Sequence, residues 1–371
     1  MSWLSLTKGK ETNTGIRRGE DHDDFFHTAD VHLGAKPDSG RPWSLEREKA
    51  LWSTFSKITQ EAGRSAKLLL IAGDLFHRPP LRSELNEVCG LFEDIPHTHV
   101  VIIAGNHDYM SPGSLYHTWR WPDNVTLLSS PELSSVYLED INTEVHGLSY
   151  LQPEITSPLL DNAAAPQDGR KHILLAHCGD ANHIPFRPEK AVEAGFDYIA
   201  MGHIHQPKQY KGIPAAMCGS PEPLDRTDMG ERGYVVGDLS DDGCSIRWVP
   251  SATAQYTSLT LKVSSETTTT QLLNHIRAYQ EKNPTYICRL KLIGLRRPDI
   301  LFDLDMLLDG ARITDISDST VPDLDIAQLS YEHKNDIIGH FIKQLQMTDI
   351  PDEKRRKAME FGLRALMEDF N

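Results

Sequence analysis

Long apolar runs are missing from this 371-residue chain. No stretch approaches the ~20 residues that a membrane-spanning helix requires, so no membrane association is expected. Cysteine is scarce. Cys89, Cys178, Cys218, Cys244 and Cys288 are scattered, odd in number and never in a C-x-x-C pair. That sets aside a disulfide scaffold and a paired-cysteine metal knuckle, and fits free thiols in a reducing compartment. Cys178, beside His177, reads as a small half-buried residue at a strand end. Cationic excess is missing too: the formal net charge of −15 argues against a surface that binds nucleic acid over its whole extent. The N-terminal stretch has no signal-peptide core and is expected to be a flexible lead, in a cytoplasmic protein.

What is present is a set of five polar motifs, each at the end of an apolar run. They are Asp30-Val31-His32, Gly73-Asp74, Gly105-Asn106-His107-Asp108, His177 and Gly202-His203-Ile204-His205. The runs before them are 25–28, 68–72, 100–104, 173–176 and 198–201, all strand-like. A single Asp-x-His or Gly-Asp is ordinary turn chemistry. Five motifs in succession, each at the C-terminal end of a strand, point to one functional edge of a sheet.

The first two hundred residues read as an α/β layer fold. Helices are expected at 45–62, with Leu51, Phe55 and Ile58 on one face, and at 81–92. With the strands 25–28, 68–72 and 100–104 they make a β-α-β-α-β run of parallel pairing. After Pro122, short runs at 125–128, 135–138 and 144–148 read as antiparallel strands, followed by a loop over 152–170. Further strands are expected at 215–218, 233–239 and 244–249. Such a chain folds as two sheets face to face with helices outside, a four-layer αββα sandwich. Beyond it, strands at 258–263, 286–293 and 312–316 with helices at 270–280 and 299–308 make a small unit. Helices at 336–346 and 352–369 end the chain. With 371 residues, several domains are expected: a lead at 1–23, a catalytic domain at 24–254, a small capping domain at 255–320 and an acidic helical tail at 321–371.

The motifs have the chemistry of a two-metal site. Ions such as Mn2+, Fe2+ and Zn2+ accept mixed oxygen and imidazole ligands. In a strand, residues i and i+2 point the same way, so Asp30 and His32 are expected to share a face, as are His203 and His205. A carboxylate that bridges two ions must stand between these pairs, and Asp74 is the natural choice, with Gly73 allowing a sharp turn. One ion would take Asp30, His32, Asp74 and His205; the other Asp74, Asn106, His177 and His203. A hydroxide held between the two ions would attack phosphorus. His107 would face the substrate and assist the leaving group or the developing charge, with Asp108 placed to hydrogen-bond it. The other histidines, among them His77 and His146, read as surface or packing residues; His27 would face the site only if its strand ended early.

The motifs in this order resemble the calcineurin-like metallophosphoesterase superfamily, over about residues 24 to 250. A narrower resemblance lies in His27-Thr28-Ala29-Asp30-Val31-His32-Leu33-Gly34, Ala72-Gly73-Asp74-Leu75-Phe76 and Gly219-Ser220-Pro221-Glu222-Pro223-Leu224. These are similar to the SbcD-type DNA repair nucleases, including their YhaO-like branch. The resemblance implies an exo- and endonuclease dependent on Mn2+ (with Fe2+, Zn2+ or Mg2+ as alternatives), a capping domain after residue 255, and an SbcC-like coiled-coil ATPase partner. The tail helices, with Phe341, Ile342 and Leu345 as an apolar face, would either dock that partner or pack on their own domain; a homodimer is a further expectation.

The expected function is therefore a metal-dependent phosphodiesterase acting on DNA. Lys36, Arg41 and Arg47 after the first motif, Arg78 and Arg82 after the second, and Lys208 and Lys211 after the last are the candidate phosphate contacts, forming a local positive rim on an acidic protein. A small-molecule phosphodiesterase or phosphatase of the same superfamily is the first alternative, favoured by the acidic balance. A binding module that has lost catalysis is the second.

Overall fold

The computed structural model describes residues 23–241 and 243–368. The expected N-terminal lead lies outside them except for its last residue, which opens the first strand. The chain divides into two compact units. Of the described residues, the first comprises 23–35 together with Glu48–Glu222 and Arg232–Ala252; the second comprises Lys36–Arg47, Pro223–Glu231 and 253–368.

The first unit opens with β1 (Asp23–Thr28), α1 (Ser44–Ser65), β2 (Leu68–Ala72), α2 (Arg82–Glu93), β3 (His99–Ile103) and β4 (Val125–Leu127). Helix α1 forms because Leu51, Phe55, Ile58 and Ala62 recur at helical spacing, and all four are buried. The N-terminal end of α2 is held by the Glu84 carboxylate, which accepts from the Leu81 backbone N–H at 2.8 Å. Its buried side is Leu85, Val88, Cys89 and Phe92, and Phe92 meets Phe55 of α1 edge-on. Strand β2 is buried at all five positions, as expected of a parallel strand covered on both faces.

Then follow β5 (Ser134–Leu138), β6 (Thr143–Gly147), β7 (Lys171–His177), α3 (Pro188–Glu193), β8 (Tyr198–Gly202), β9 (Lys208–Gln209), β10 (Ala215–Met217), β11 (Gly233–Ser240) and β12 (Gly243–Pro250). Two six-stranded sheets result, in the orders β12-β11-β1-β2-β3-β4 and β5-β6-β7-β8-β10-β9. Residues from both make one core: Phe25, Leu68, Leu70, Val101 and Ile103 from the first, Val145, Ile173, Leu175, Tyr198 and Ala200 from the second. The mixed α/β architecture with two facing sheets is the one expected. One pairing differs. The strand at 125–127 was expected antiparallel, but it runs parallel to β3. Its run carries no sign of direction, and only the connection before it, with a 3-10 turn at Leu115–His117, allows the crossover.

The second unit holds β13 (Gln255–Val263), α4 (Thr269–Lys282), β14 (Tyr286–Arg296), α5 (Leu304–Gly310) and β15 (Ile313–Pro322), a three-stranded parallel sheet with its crossover helices. Helix α4 starts where Thr268 and Gln271 form a reciprocal capping box. Helix α5 begins later than the sequence pattern suggests. Asp303 caps it by accepting from Met306 N–H, while Phe302 before it is buried in the core of this sheet. The unit also includes α6 (Ile326–Glu332), α7 (Ile337–Met347) and α8 (Asp352–Glu368).

Two expectations are corrected here. The segments 36–47 and 223–231 belong with the C-terminal residues rather than with an unbroken domain over 24–254, because Trp43 is buried in a cluster with Ala254, Tyr256 and Ile287. The apolar face of the tail is not free: Ile342 is buried with Ile338, Met359 and Leu363, and Phe341 and Leu345 pack against them. Among the described residues, no helix is long and apolar enough to cross a membrane.

Candidate metal centre

Strands β1, β2, β3, β7 and β8 are linked by parallel pairings within their two sheets, so their C-terminal ends lie on one edge of each. The polar motifs follow at those ends. The mechanism that aims Asp30 and His32 differs from the expected strand alternation. Strand β1 ends at Thr28, and both residues have left-handed backbones, with φ of 51° each. Asp74 (φ 50°) and His203 (φ 101°) share this feature, so four of the seven described non-glycine residues with positive φ belong to the motifs. Each costs on the order of 1 kcal/mol. Backbone bonds offset the strain: Asp30 N–H donates to the Gly73 carbonyl at 3.1 Å and His32 N–H to the Asp74 carbonyl at 3.0 Å. The first two loops therefore zip together.

Two glycines are required by close approach. At Gly73 (φ 85°) a Cβ would press on the His177 ring, and at Gly105 a Cβ would collide with the Asp74 carboxylate.

Asp74 stands in the middle. Its Oδ1 accepts from the His107 backbone N–H at 2.9 Å. Its Oδ2 lies 3.4 Å from His177 Nε2 and 3.7 Å from His32 Nε2. On one side, His32 Nε2 and His205 Nε2 are 3.2 Å apart, and Asp30, His32 and His205 offer ligand atoms within 4.8 Å of one another. On the other, Asn106 Oδ1 lies 2.8 Å from His177 Nε2 and 3.2 Å from His203 Nδ1. The Asp30 carboxylate also accepts from the His203 backbone N–H. Asp30, His32, Asp74, Asn106, His177, His203 and His205 are thus all brought together.

The donor chemistry of this cluster fits a cation. His177 Nδ1 donates to the Ala72 carbonyl at 2.9 Å, and a carbonyl can only accept. Nε2 then carries the lone pair of a neutral ring, yet it faces the Asn106 and Asp74 oxygens, which are acceptors as well. Three acceptors converge only around positive charge. Without a metal, that charge is a proton. Burial pushes His177 down, but the Asp74 and Asp30 carboxylates overcome it and raise it to about 9. Burial raises Asp30 to about 6 against the pull of His177 and His205. Asp74 is equally buried, yet His177 and His32 hold it well below the usual carboxylate range. Burial keeps His32 well below the ordinary imidazole value and lowers His203, also facing His177, to about 4.

Asp108 does not hydrogen-bond His107, and that expectation is corrected. Buried in the turn, it accepts from Gly105 N–H (2.8 Å), Phe76 N–H (3.2 Å) and the Tyr116 hydroxyl (2.9 Å). Burial and the Asp74 charge raise it to about 6. It shapes the turn that presents Asn106 and His107. His107 is exposed, donating from Nδ1 to the His77 carbonyl at 3.1 Å, its ring stacked on that of His77.

Sequence reasoning missed three neighbours. His77 lies with His32 and His107. Asp180 accepts from His203 Nε2 at 2.7 Å and from His183 at 2.8 Å. Only the position of Asp180 three residues after His177 hinted at it. His27 is buried, bonded to the Tyr198 hydroxyl at 2.9 Å and lowered by burial to about 3. Cys178, expected half-buried, is fully buried, which pushes its thiol up.

The basic candidates do not form one set. Arg78 is held in a two-pronged pair with Glu84 at 2.8 and 2.9 Å. Lys208 is exposed and lies over the Tyr210 ring. Lys36 is exposed and Arg41 donates to the Thr314 carbonyl, both within the second unit. Arg47 is corrected: it is buried and donates to the Pro223 carbonyl.

Residues 24–207 match the family model described as calcineurin-like phosphoesterase. The chain is 28% identical to the uncharacterized metallophosphoesterase YhaO of Bacillus subtilis, over 58% of each chain. It is 29% identical to the DNA double-strand break repair protein Mre11 of Methanopyrus kandleri, over 53% of this chain and 48% of that one. Its identity to the Mre11 of Archaeoglobus fulgidus is 31%, over 57% and 52%. The chain therefore spans about half the length of these relatives.

Proposed function

Residues 24–207 belong to the calcineurin-like phosphoesterase family, and from that premise we propose that the protein is a two-metal phosphodiesterase that cleaves DNA. One ion would be held by Asp30, His32, Asp74 and His205, the other by Asp74, Asn106, His177 and His203. The observation that carries this reading is the convergence of acceptor atoms on both sides of Asp74 Oδ2, 3.4 Å from His177 and 3.7 Å from His32. Two divalent ions there would supply Lewis-acid polarisation of a phosphoryl oxygen and acidify the attacking water.

The chain's own residues do the rest. The Ala72 carbonyl fixes the His177 tautomer, and Asp180 fixes that of His203. His107, with Nδ1 committed to the His77 carbonyl, has Nε2 left to carry a proton. It is the group that protonates the departing oxygen or stabilises charge on the phosphoryl oxygens. Asp108 acts through the turn, as a positioning residue.

DNA as substrate rests on the relatives named for double-strand break repair and on the His27 to Gly34 motif. The SbcD-type assignment, an SbcC-like ATPase partner, Mn2+ as the resident metal and a cytoplasmic location rest on the same resemblance. The test is cleavage of labelled single- and double-stranded DNA with Mn2+. Asp74→Ala should abolish cleavage and His107→Ala should lower it by roughly 10²–10⁴-fold, with circular dichroism unchanged. Cleavage at the native rate by a folded Asp74→Ala protein would end the proposal.

A further inference from the structure

A second group of histidines lies on the same sheet, far from the first. Val145 on β6 and Ile173 and Leu175 on β7 point into the core between the sheets. Glu144, His146 and His172 alternate with them and take the opposite face, where Leu174 is also found. Register brings them together, because Glu144 is the direct neighbour of His172 across the β6–β7 pair. His172 precedes His177 by five residues on β7, ~16 Å along the strand, so this group is separate from the candidate metal centre.

We propose that Glu144, His146 and His172 form an additional site for a zinc-class divalent ion on the outer face of the second sheet. His146 and His172 are buried. His146 Nε2 and His172 Nδ1 are hydrogen-bonded at 3.0 Å, through a hydrogen that a cation would displace, and Glu144 Oε2 is 4.0 Å from His172 Nδ1. Ligand atoms bound to one tetrahedral zinc stand ~3.3 Å apart, so the observed spacings bracket the requirement and need shifts of well under 1 Å.

The orientation of the ligands is also provided. Asp168 Oδ1 lies 3.1 Å from His172 Nε2, and a carboxylate only accepts, so that nitrogen carries the hydrogen and Nδ1 presents its lone pair to the site. This is the carboxylate–histidine arrangement that aims imidazoles at zinc. The Ser135 hydroxyl donates to Glu144 Oε1 at 2.6 Å and leaves Oε2 for the ion. Arg170 contacts Oε2 at 3.0 Å. It also pairs with Asp168 at 3.4 Å and lies over the Tyr137 ring, so an ion at this site would have to displace it from Oε2. Three protein ligands leave one position for water or for a further donor.

The test uses the full chain. In crystals soaked with Zn2+, a zinc-edge anomalous map should show a peak among Glu144, His146 and His172, besides any at the Asp74 centre. After a chelator wash, the wild type should retain one more equivalent of zinc than His146→Gln or His172→Gln. If either variant fails to fold, Glu144→Gln, at a half-buried position, should show the same deficit or a zinc affinity lower by at least tenfold. A map with zinc at the Asp74 centre and none here, or equal retention in the wild type and a folded variant, overturns the proposal.

Discussion

Asp180 reaches no ion in the proposed assignment, yet it takes the Nε2 hydrogen of His203 and so turns Nδ1 toward Asn106. Asp180→Asn should weaken metal binding about 10–100-fold. Calorimetric titration with Mn2+ would measure it, and an unchanged affinity would remove Asp180 from the positioning role. His177 makes a pH prediction for the metal-free protein. Its value in the fold, about 9, lies above the ordinary 6.5, so the proton favours the folded state. That contribution is fully present below pH 6.5 and is lost as pH rises through about 9. Asp30 and Asp108, raised to about 6, lose theirs at lower pH, between about 4 and 6, so the windows separate. Thermal melts of metal-free protein should fall between pH 7 and 9.5, and His177→Asn should flatten that slope. A slope unchanged by the substitution would contradict the assignment.

Gly105 shows how an element's end sets the site. A methyl group there meets the Asp74 carboxylate, so Gly105→Ala should displace Asp74 and cut turnover by at least a hundredfold, of the order that a 1 Å misplacement costs. Thr268→Ala, at the cap of α4, should cost about 1 kcal/mol of stability and leave turnover alone. Together the two separate site geometry from general destabilisation. Much of this level was legible in the sequence. Apolar runs ending in Asp, Asn and His marked the strand ends, because polar side chains grouped just after a buried run can turn toward one another where the strand leaves the sheet. The left-handed turns at Asp30 and His32 were not legible, since those residue types adopt them only when the β2 loop supplies the opposing carbonyls. His77 and Asp180 were hidden for a similar reason: their neighbours are distant in the chain, and no spacing records them. The direction of β4 and the start of α5 depended on packing and on a single cap.

For the whole molecule, the charge of −15 makes any affinity for DNA a local matter. Charges more than a Debye length away are screened at ~10 Å in 0.1 M salt, so a few cations near the centre must carry it. Binding should weaken with added salt, and Lys208→Ala should reduce the slope of log affinity against log salt by about one unit. An unchanged slope would remove Lys208 from the interface. The division into units was the least legible feature at this scale, since the two excursions, 36–47 and 223–231, look like ordinary loops in the sequence. Strand β1 lies between β2 and β11, and Asp23 pairs with Leu239. As the protein leaves the ribosome, its first strand can find one neighbour early but waits roughly two hundred residues of translation for the other, a delay that makes folding slow and sticky. Until then, the catalytic edge hangs from a half-built sheet with an open seam.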